Sequence, residues 1–236
     1  MSVDTALALQ KTDILPTRAP RSLFSDAWRR LLSSWNGRVG LTITGIIILI
    51  GLLAPVVNPY DPTIDSNLAD SRATPSVEHF FGADRLGRDM FRRIIHGTRI
   101  SLTIGFVVVF FSGAVGTILG LAAGYFGGWL DSVIMRVMDV LLAFPAILLA
   151  IAIVAVRGAS LTNTILAVAI VGVPGYARVV RSIVLSVRER DYVEAARMVG
   201  VRDRRIMFLH ILPNSLSPII VQVTLGVGGA ILFAAA

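Results

Sequence analysis

The sequence predicts an all-α membrane protein. Hydrophobic residues make up 55% of the 236 positions and charged residues only 16%, against about 25% charged in an ordinary soluble chain; mean hydropathy is +0.75. The apolar residues also gather into stretches of the roughly 20 residues that a helix needs to cross a bilayer. A third observation is the placement of charge. The net charge of +7 and pI near 10.9 would suggest nucleic acid in a soluble chain, but here the arginines mark membrane orientation. Arg18, Arg21, Arg29, Arg30 and Arg38 precede the first apolar stretch, and a second cluster runs from Arg178 to Arg205. The loop from Asn58 to Gly97 instead offsets Arg72, Arg85, Arg88, Arg92 and Arg93 with Asp61, Asp65, Asp70, Glu78, Asp84 and Asp89. By the positive-inside rule, the N-terminus and the Glu194 region are cytoplasmic and the mixed-charge loop is outside. No nucleic-acid partner is implied.

Taken in order, residues 1–21 are polar, hold Pro16 and Pro20, and read as a disordered cytoplasmic tail without the regions of a secretory signal. In residues 22–37 the apolar positions Leu23, Phe24, Ala27, Trp28, Leu31, Leu32 and Trp35 recur at helical spacing, predicting an interfacial amphipathic helix with tryptophans at headgroup depth. A cytosolic extension of the first span is the other reading. Residues 38–57 form that span, and residues 58–98 the extracytoplasmic loop. Residues 99–236 form the core, with spans over about Ile100–Phe126, Val133–Val156, Leu161–Val187 (bent near Pro174) and from Ser215 to the end. Five spans with the N-terminus inside would leave the C-terminus outside, and the last apolar run has no polar flank; a sixth span is therefore expected beyond Ala236.

Gly116, Gly120 and Gly124 line one face of the second span. Such a stripe lets another helix backbone approach closely; a direct role in the pore is the alternative. Arg136 and Asp139 fall inside the third span, where ionisable groups are costly and often functional. Three residues apart on one helix face, they can pair or snorkel; a proton relay through Asp139 is the rival reading.

Between the last two spans lies a polar island. Asp191 can accept from the first free helix amides while Glu194 reaches back, a capping-box pattern. Gly200 suits the left-handed turn that ends this short helix, and Asp203 can cap a second helix that Pro213 interrupts. Ala195 and Ala196 provide a small, flat face for another protein. In the outer loop, Gly82 and Gly87 punctuate a turn carrying Asp84, Arg85, Arg88 and Asp89, which suits local ion pairing or the charged surface of a docked protein.

Enzyme chemistry finds no footing. His79, His96 and His210 are scattered, no metal-ligand spacing occurs, and cysteine is absent. A phosphate-binding P-loop needs a lysine after its glycines, and the only lysine is Lys11. Any ATP dependence must come from a partner.

Glu194-Ala195-Ala196, Gly200 and Leu212-Pro213 resemble the EAA loop of the membrane subunits of ABC importers. His210 through Asn214, reading HILPN, resembles the oligopeptide/dipeptide/nickel permease branch, in its second-permease (C-type) subunit. Phe81 to Asp89 resembles that branch's FGTDxxGRD signature with Ala83 in place of threonine, and Met135 to Asp139 through Pro145 its third-span segment. The resemblance implies a type I ABC importer transmembrane domain, normally of six spans, in a bacterial inner membrane. It implies coupling helices at 190–212 that seat in cytoplasmic ATPase subunits through Glu194, Ala195, Ala196, Arg197, Gly200 and Asp203. The implied partners are a related permease in a pseudo-symmetric heterodimer, two ABC ATPases, an extracytoplasmic substrate-binding protein docking near Asp84, Arg85, Arg88 and Asp89, and membrane lipid. ATP and Mg would be bound by the ATPases and no cofactor by this chain. The solute would be a short peptide, a nickel chelate or a glutathione-like compound. An ion-coupled secondary transporter is the rival from another class, with Asp139 its one candidate coupling residue; a membrane enzyme would need a constellation of acids and histidines that the sequence does not supply.

Overall fold

A computed structural model describes residues 23–57, 59–61 and 65–235. The expected tail, residues 1–21, lies outside them. Among the described residues every extended regular element is helical, and β pairing is confined to an isolated antiparallel bridge between Ala83 and Asp89.

The chain divides into two compact units, residues 1–50 and 51–236. In the first, helix α1 (Leu23–Ser33) gives way at Ser34 to α2 (Trp35–Val57). The hydroxyls of Ser33 and Ser34 donate back to the carbonyls of Arg30 and Leu31 at 3.0 and 3.1 Å, competing with the helical ladder where it breaks. Trp35 therefore begins the long helix rather than closing the short one. The Arg38 guanidinium lies over its ring, 5.6 Å from the centroid, a favourable placement of a cation on an aromatic face.

The second unit is built on α3 (Met90–Phe126), α4 (Gly128–Ala143), α5 (Ala146–Arg157), α6 (Leu161–Val187), α7 (Asp191–Met198), α8 (Asp203–Arg205), a π-helical turn (Ile206–Ile211) and α9 (Leu212–Ala235). Among the described residues, four helical runs are long and apolar enough to cross a membrane: Trp35–Val56, Met90–Phe126, Leu161–Val187 and the continuous run Asp203–Ala235. Helix α3 has 37 residues, ~55 Å at 1.5 Å per residue, well beyond the ~30 Å apolar thickness of a bilayer. Its first turns, with Arg92, Arg93 and Arg99, lie ahead of the apolar stretch that starts near Ile100.

The expected third span is not straight. Helices α4 and α5 meet at a 90° bend, because Pro145 has no N–H to continue the ladder and drives the preceding residue out of the helical region. Phe144 accordingly sits at φ −88°, ψ 139°. Helix α6, by contrast, is unbroken through Pro174, which is fully buried.

Helices α3 and α6 form the centre, with α9 packed on both. The glycine stripe explains their closeness. A Cβ on Gly116 would come within 2.5 Å of the Tyr176 Cβ, on Gly120 within 2.5 Å of the Ala177 carbonyl oxygen, and on Gly124 within 2.8 Å of the Val184 Cβ. These are separations that real side chains do not adopt, so the stripe packs helices. The buried hydroxyls of Ser112 and Ser215 donate to their own helices at Val108 and Ile211, 2.7 and 2.9 Å, so neither is left unsatisfied.

Candidate functional site

Helix α7 ends in a Schellman closure. Gly200 takes φ +80°; its N–H donates to the Arg197 carbonyl at 2.9 Å, and the Val201 N–H reaches the Ala196 carbonyl at 3.1 Å. The expectation for Gly200 is met, since L side chains rarely adopt this conformation. The expected caps are not. Arg190 and Arg202, not Asp191 and Asp203, are the N-cap residues, and neither makes a side-chain cap bond. Each helix starts one residue earlier than a capping Asp requires, placing the carboxylate in the first turn, where it faces the helix dipole without closing a box.

Pro213 does not interrupt the second arm either. The π turn before it shifts the ladder, with the Leu212 N–H bonded to the Met207 carbonyl, and the wider turn carries the chain past a residue that has no N–H to give. The island consequently runs without a gap into α9.

Its underside is apolar. Val193, Ile206 and Ile211 are fully buried in a cluster with Leu121, Val180 and Val184. Its outer side carries Glu194, Ala195, Arg197 and Gly200, all exposed, together with Met198 at 88% and Val199 at 84% exposure. Ala195 and Ala196 part company here: Ala195 faces out, whereas Ala196 is half-buried against the island's own core.

Tyr125, at the end of α3, is a residue the sequence reading missed. Its hydroxyl donates to Asp203 Oδ1 at 2.5 Å, and the Arg197 guanidinium lies over its ring, 5.1 Å from the centroid. One phenol thus ties both arms of the island to the helix bundle. The available signal was an isolated tyrosine next to the glycines that close an apolar helix. Nearby, Arg188 Nη1 donates to the Gly124 carbonyl at 2.8 Å, meeting one of the carbonyls that α3 leaves unpaired at its C-terminus.

Asp139 pairs with Arg178 of α6 at 2.6 Å, and Arg181 grips Asp131 through two bonds of 2.5 and 2.6 Å. The anticipated Arg136–Asp139 pair does not form; the acid has a partner across the helix interface, and Arg136 shares the groove with both pairs.

The outer loop is held differently. Asp84 accepts from the Leu86 and Arg88 amides at 2.8 and 3.0 Å and from Arg93 at 2.6 Å. The Arg88 amide foremost, with help from the Leu86 amide and Arg93, keeps its carboxyl below the ordinary carboxylate value against the opposing effect of burial. Asp89 caps α3 by accepting from the Arg92 amide at 3.0 Å and meets His79 Nδ1 at 2.9 Å. Burial pushes the Asp89 carboxyl up, but the Arg92 amide, His79 and the Phe91 amide outweigh it and hold it low. The hydrogen bond to Asp89 raises His79 in turn. Gly87 takes φ +70°, and a Cβ there would overlap the Asn67 carbonyl. Of the four loop residues singled out for docking, Asp84 and Asp89 are thus engaged within the loop, while Arg85 is exposed.

Helices long and apolar enough to span, a helix pair bent by 90° and a folded polar island define a multi-pass membrane transport subunit. Residues 116–236 match the family described as the inner membrane component of binding-protein-dependent transport systems, and residues 22–75 match the N-terminal transmembrane domain of oligopeptide transport permease C. The chain belongs to this family of ABC importer permeases. It is 50% identical to a dipeptide transport system permease protein of Alkalihalophilus pseudofirmus over 91% of this chain and 70% of that relative. A dipeptide permease of Haemophilus influenzae is 41% identical over 92% and 75%. A glutathione transport system permease protein of Pectobacterium atrosepticum is 41% identical over 94% and 74%.

Proposed function

We propose that this chain forms half of the translocation path of an ATP-driven importer of short peptides or related small solutes. The observation that carries the reading is the island: a Schellman-closed helix pair with an apolar underside and an outer face of Glu194, Ala195, Arg197 and Gly200. Such a face suits the cleft of an ATPase subunit, which would bind ATP and Mg. In this reading the N-terminus and the island are cytoplasmic in a bacterial inner membrane, an orientation that the arginine bias supports. A related permease supplies the other half of the path, and an extracytoplasmic binding protein docks on the loop, with Arg85 the most available of its charged residues. The dipeptide and glutathione permeases among the relatives support a small peptide as solute. The ion-coupled alternative loses support because Asp139 is paired with Arg178.

The chain has no cysteine, so a single Ala195→Cys substitution provides a clean probe. In the assembled importer it should cross-link to an ATPase subunit, while Ile118→Cys, exposed on the apolar stretch of α3, should not. Equal labelling at both positions, or none at Ala195, would overturn the coupling assignment.

A further inference from the structure

At the end of α3 and α6 remote from the island, Tyr60, Arg88, Arg93, His96, Arg99 and Thr103 line a pocket of about 550 Å³. That volume lies within the roughly 300–1,000 Å³ typical of small-molecule sites. No carboxylate is among the described residues that line it. Arg93 is already paired with Asp84, which leaves Arg88 and Arg99 as the cationic side of the wall. The ring of Tyr60 rests against that of His96 with centroids 5.5 Å apart.

Two donors in this wall are incomplete. Arg88 Nε and the Tyr60 hydroxyl are both buried and have no hydrogen-bond partner among the described residues. Buried donors in native proteins almost always find an acceptor, because leaving them without one is costly. An arginine edge and a phenol in the wall of one pocket, with Asp84 behind Arg88 and Arg93 but not among the described lining, are chemically matched to an oxyanion.

We propose that this pocket receives the carboxylate of the incoming solute, with Arg88 Nε and the Tyr60 hydroxyl as donors and Arg99 contributing charge. The inference rests on the small-peptide reading above: a dipeptide and glutathione differ in their side chains, but both end in a free carboxylate. The pocket's position at the end opposite the island places it on the side where the solute arrives. A phospholipid headgroup phosphate carries the same oxyanion chemistry, so the test must separate the two sources.

The assembled importer in phosphatidylcholine nanodiscs is treated with phenylglyoxal, and modification of individual arginines is followed by mass spectrometry. Dialanine should slow modification of Arg88 severalfold, dialanine amide should not, and Arg204 on the island should be unaffected by either. Tyr60→Phe should weaken the protection. The proposal is overturned if the amide protects as well as the acid, if dialanine gives no protection, or if phosphatidylglycerol protects Arg88 and dialanine cannot. In uptake assays Arg88→Gln should raise KM for dialanine by about tenfold, the loss expected for one charge-assisted hydrogen bond, with kcat little changed. ATP-dependent uptake of dialanine by the unmodified importer tests the transport reading separately. Uptake without protection sinks the site alone, and protection without uptake sinks the peptide-import reading.

Discussion

The outer loop and the island are both polar segments between apolar helices, yet they are held together by opposite means. In the loop the charges face one another: Asp84 with Arg93, Asp89 with His79 and the first amides of α3. In the island the apolar residues face inward, and the charged ones, Glu194 and Arg197 among them, are exposed on its outer side. A segment folded by its own ion pairs has few charges left to offer a partner. A segment folded by Val193, Ile206 and Ile211 keeps its charges available. That contrast is why the island is the better candidate for a joint between proteins and the loop the better candidate for a rigid rim.

The contrast breaks most severely at Val193, which has no exposed surface. Val193→Asp buries an unpaired charge, a change expected to cost several kcal/mol, and should expose the segment 191–205 to protease while the outer loop stays resistant. Protection equal to wild type would show that the island does not depend on its apolar underside. Next in size is Gly200→Val. Forcing a β-branched residue into φ +80° costs on the order of 1–3 kcal/mol, so transport and ATPase docking should fall by tenfold or more with membrane insertion intact; undiminished uptake would remove the island from the coupling path.

On the loop side, Asp89→Ala removes both the carboxylate that meets His79 and the cap on α3, a loss of about 1 kcal/mol. Amide exchange over residues 79–93 should quicken while the island is unaffected. The same pair predicts a pH response confined to the loop. His79 is raised above its ordinary 6.5, so its contribution is complete below that value and disappears as pH rises through the raised pKa. Asp89 is lowered below 3.8, so its contribution is complete above that value and disappears as pH falls through the lowered pKa. Protection in the loop, taken relative to the intrinsic exchange rate at each pH, should thus be greatest between these limits and fall on both sides, whereas a flat protection profile would mean that the pair does not hold the loop. The smallest effect is expected for Tyr125→Phe, which loses one hydrogen bond to Asp203 but keeps the ring under Arg197; coupling should weaken by a fewfold, measured as ATP hydrolysed per solute moved.

Much of this was legible in the sequence because it depends on composition and on residues with a unique conformational role. Apolar run length revealed Leu161–Val187 and the span that ends at Phe126, and Gly200 announced its turn because little else tolerates that backbone. What escaped was set by contacts distant in sequence. Asp139 finds Arg178, 39 positions away, rather than Arg136 on its own helix, and Tyr125 meets Asp203 across 78. Hydropathy also reads through Phe144-Pro145, because it registers the polarity of a segment and not its direction. The capping expectation failed by a single residue, which is enough, since only the position just outside the helix has amides within reach of its side chain.

The π turn at Ile206–Ile211 has a mechanical consequence. Because it replaces a loop, Asp203–Ala235 is one rod of 33 residues, ~50 Å long at 1.5 Å per residue. A loop at this point would have absorbed any push on the island. A continuous helix would instead carry a push on the proposed coupling face toward its far arm, where Gly226 lies so close to the Tyr176 hydroxyl that a single added methyl would jam it.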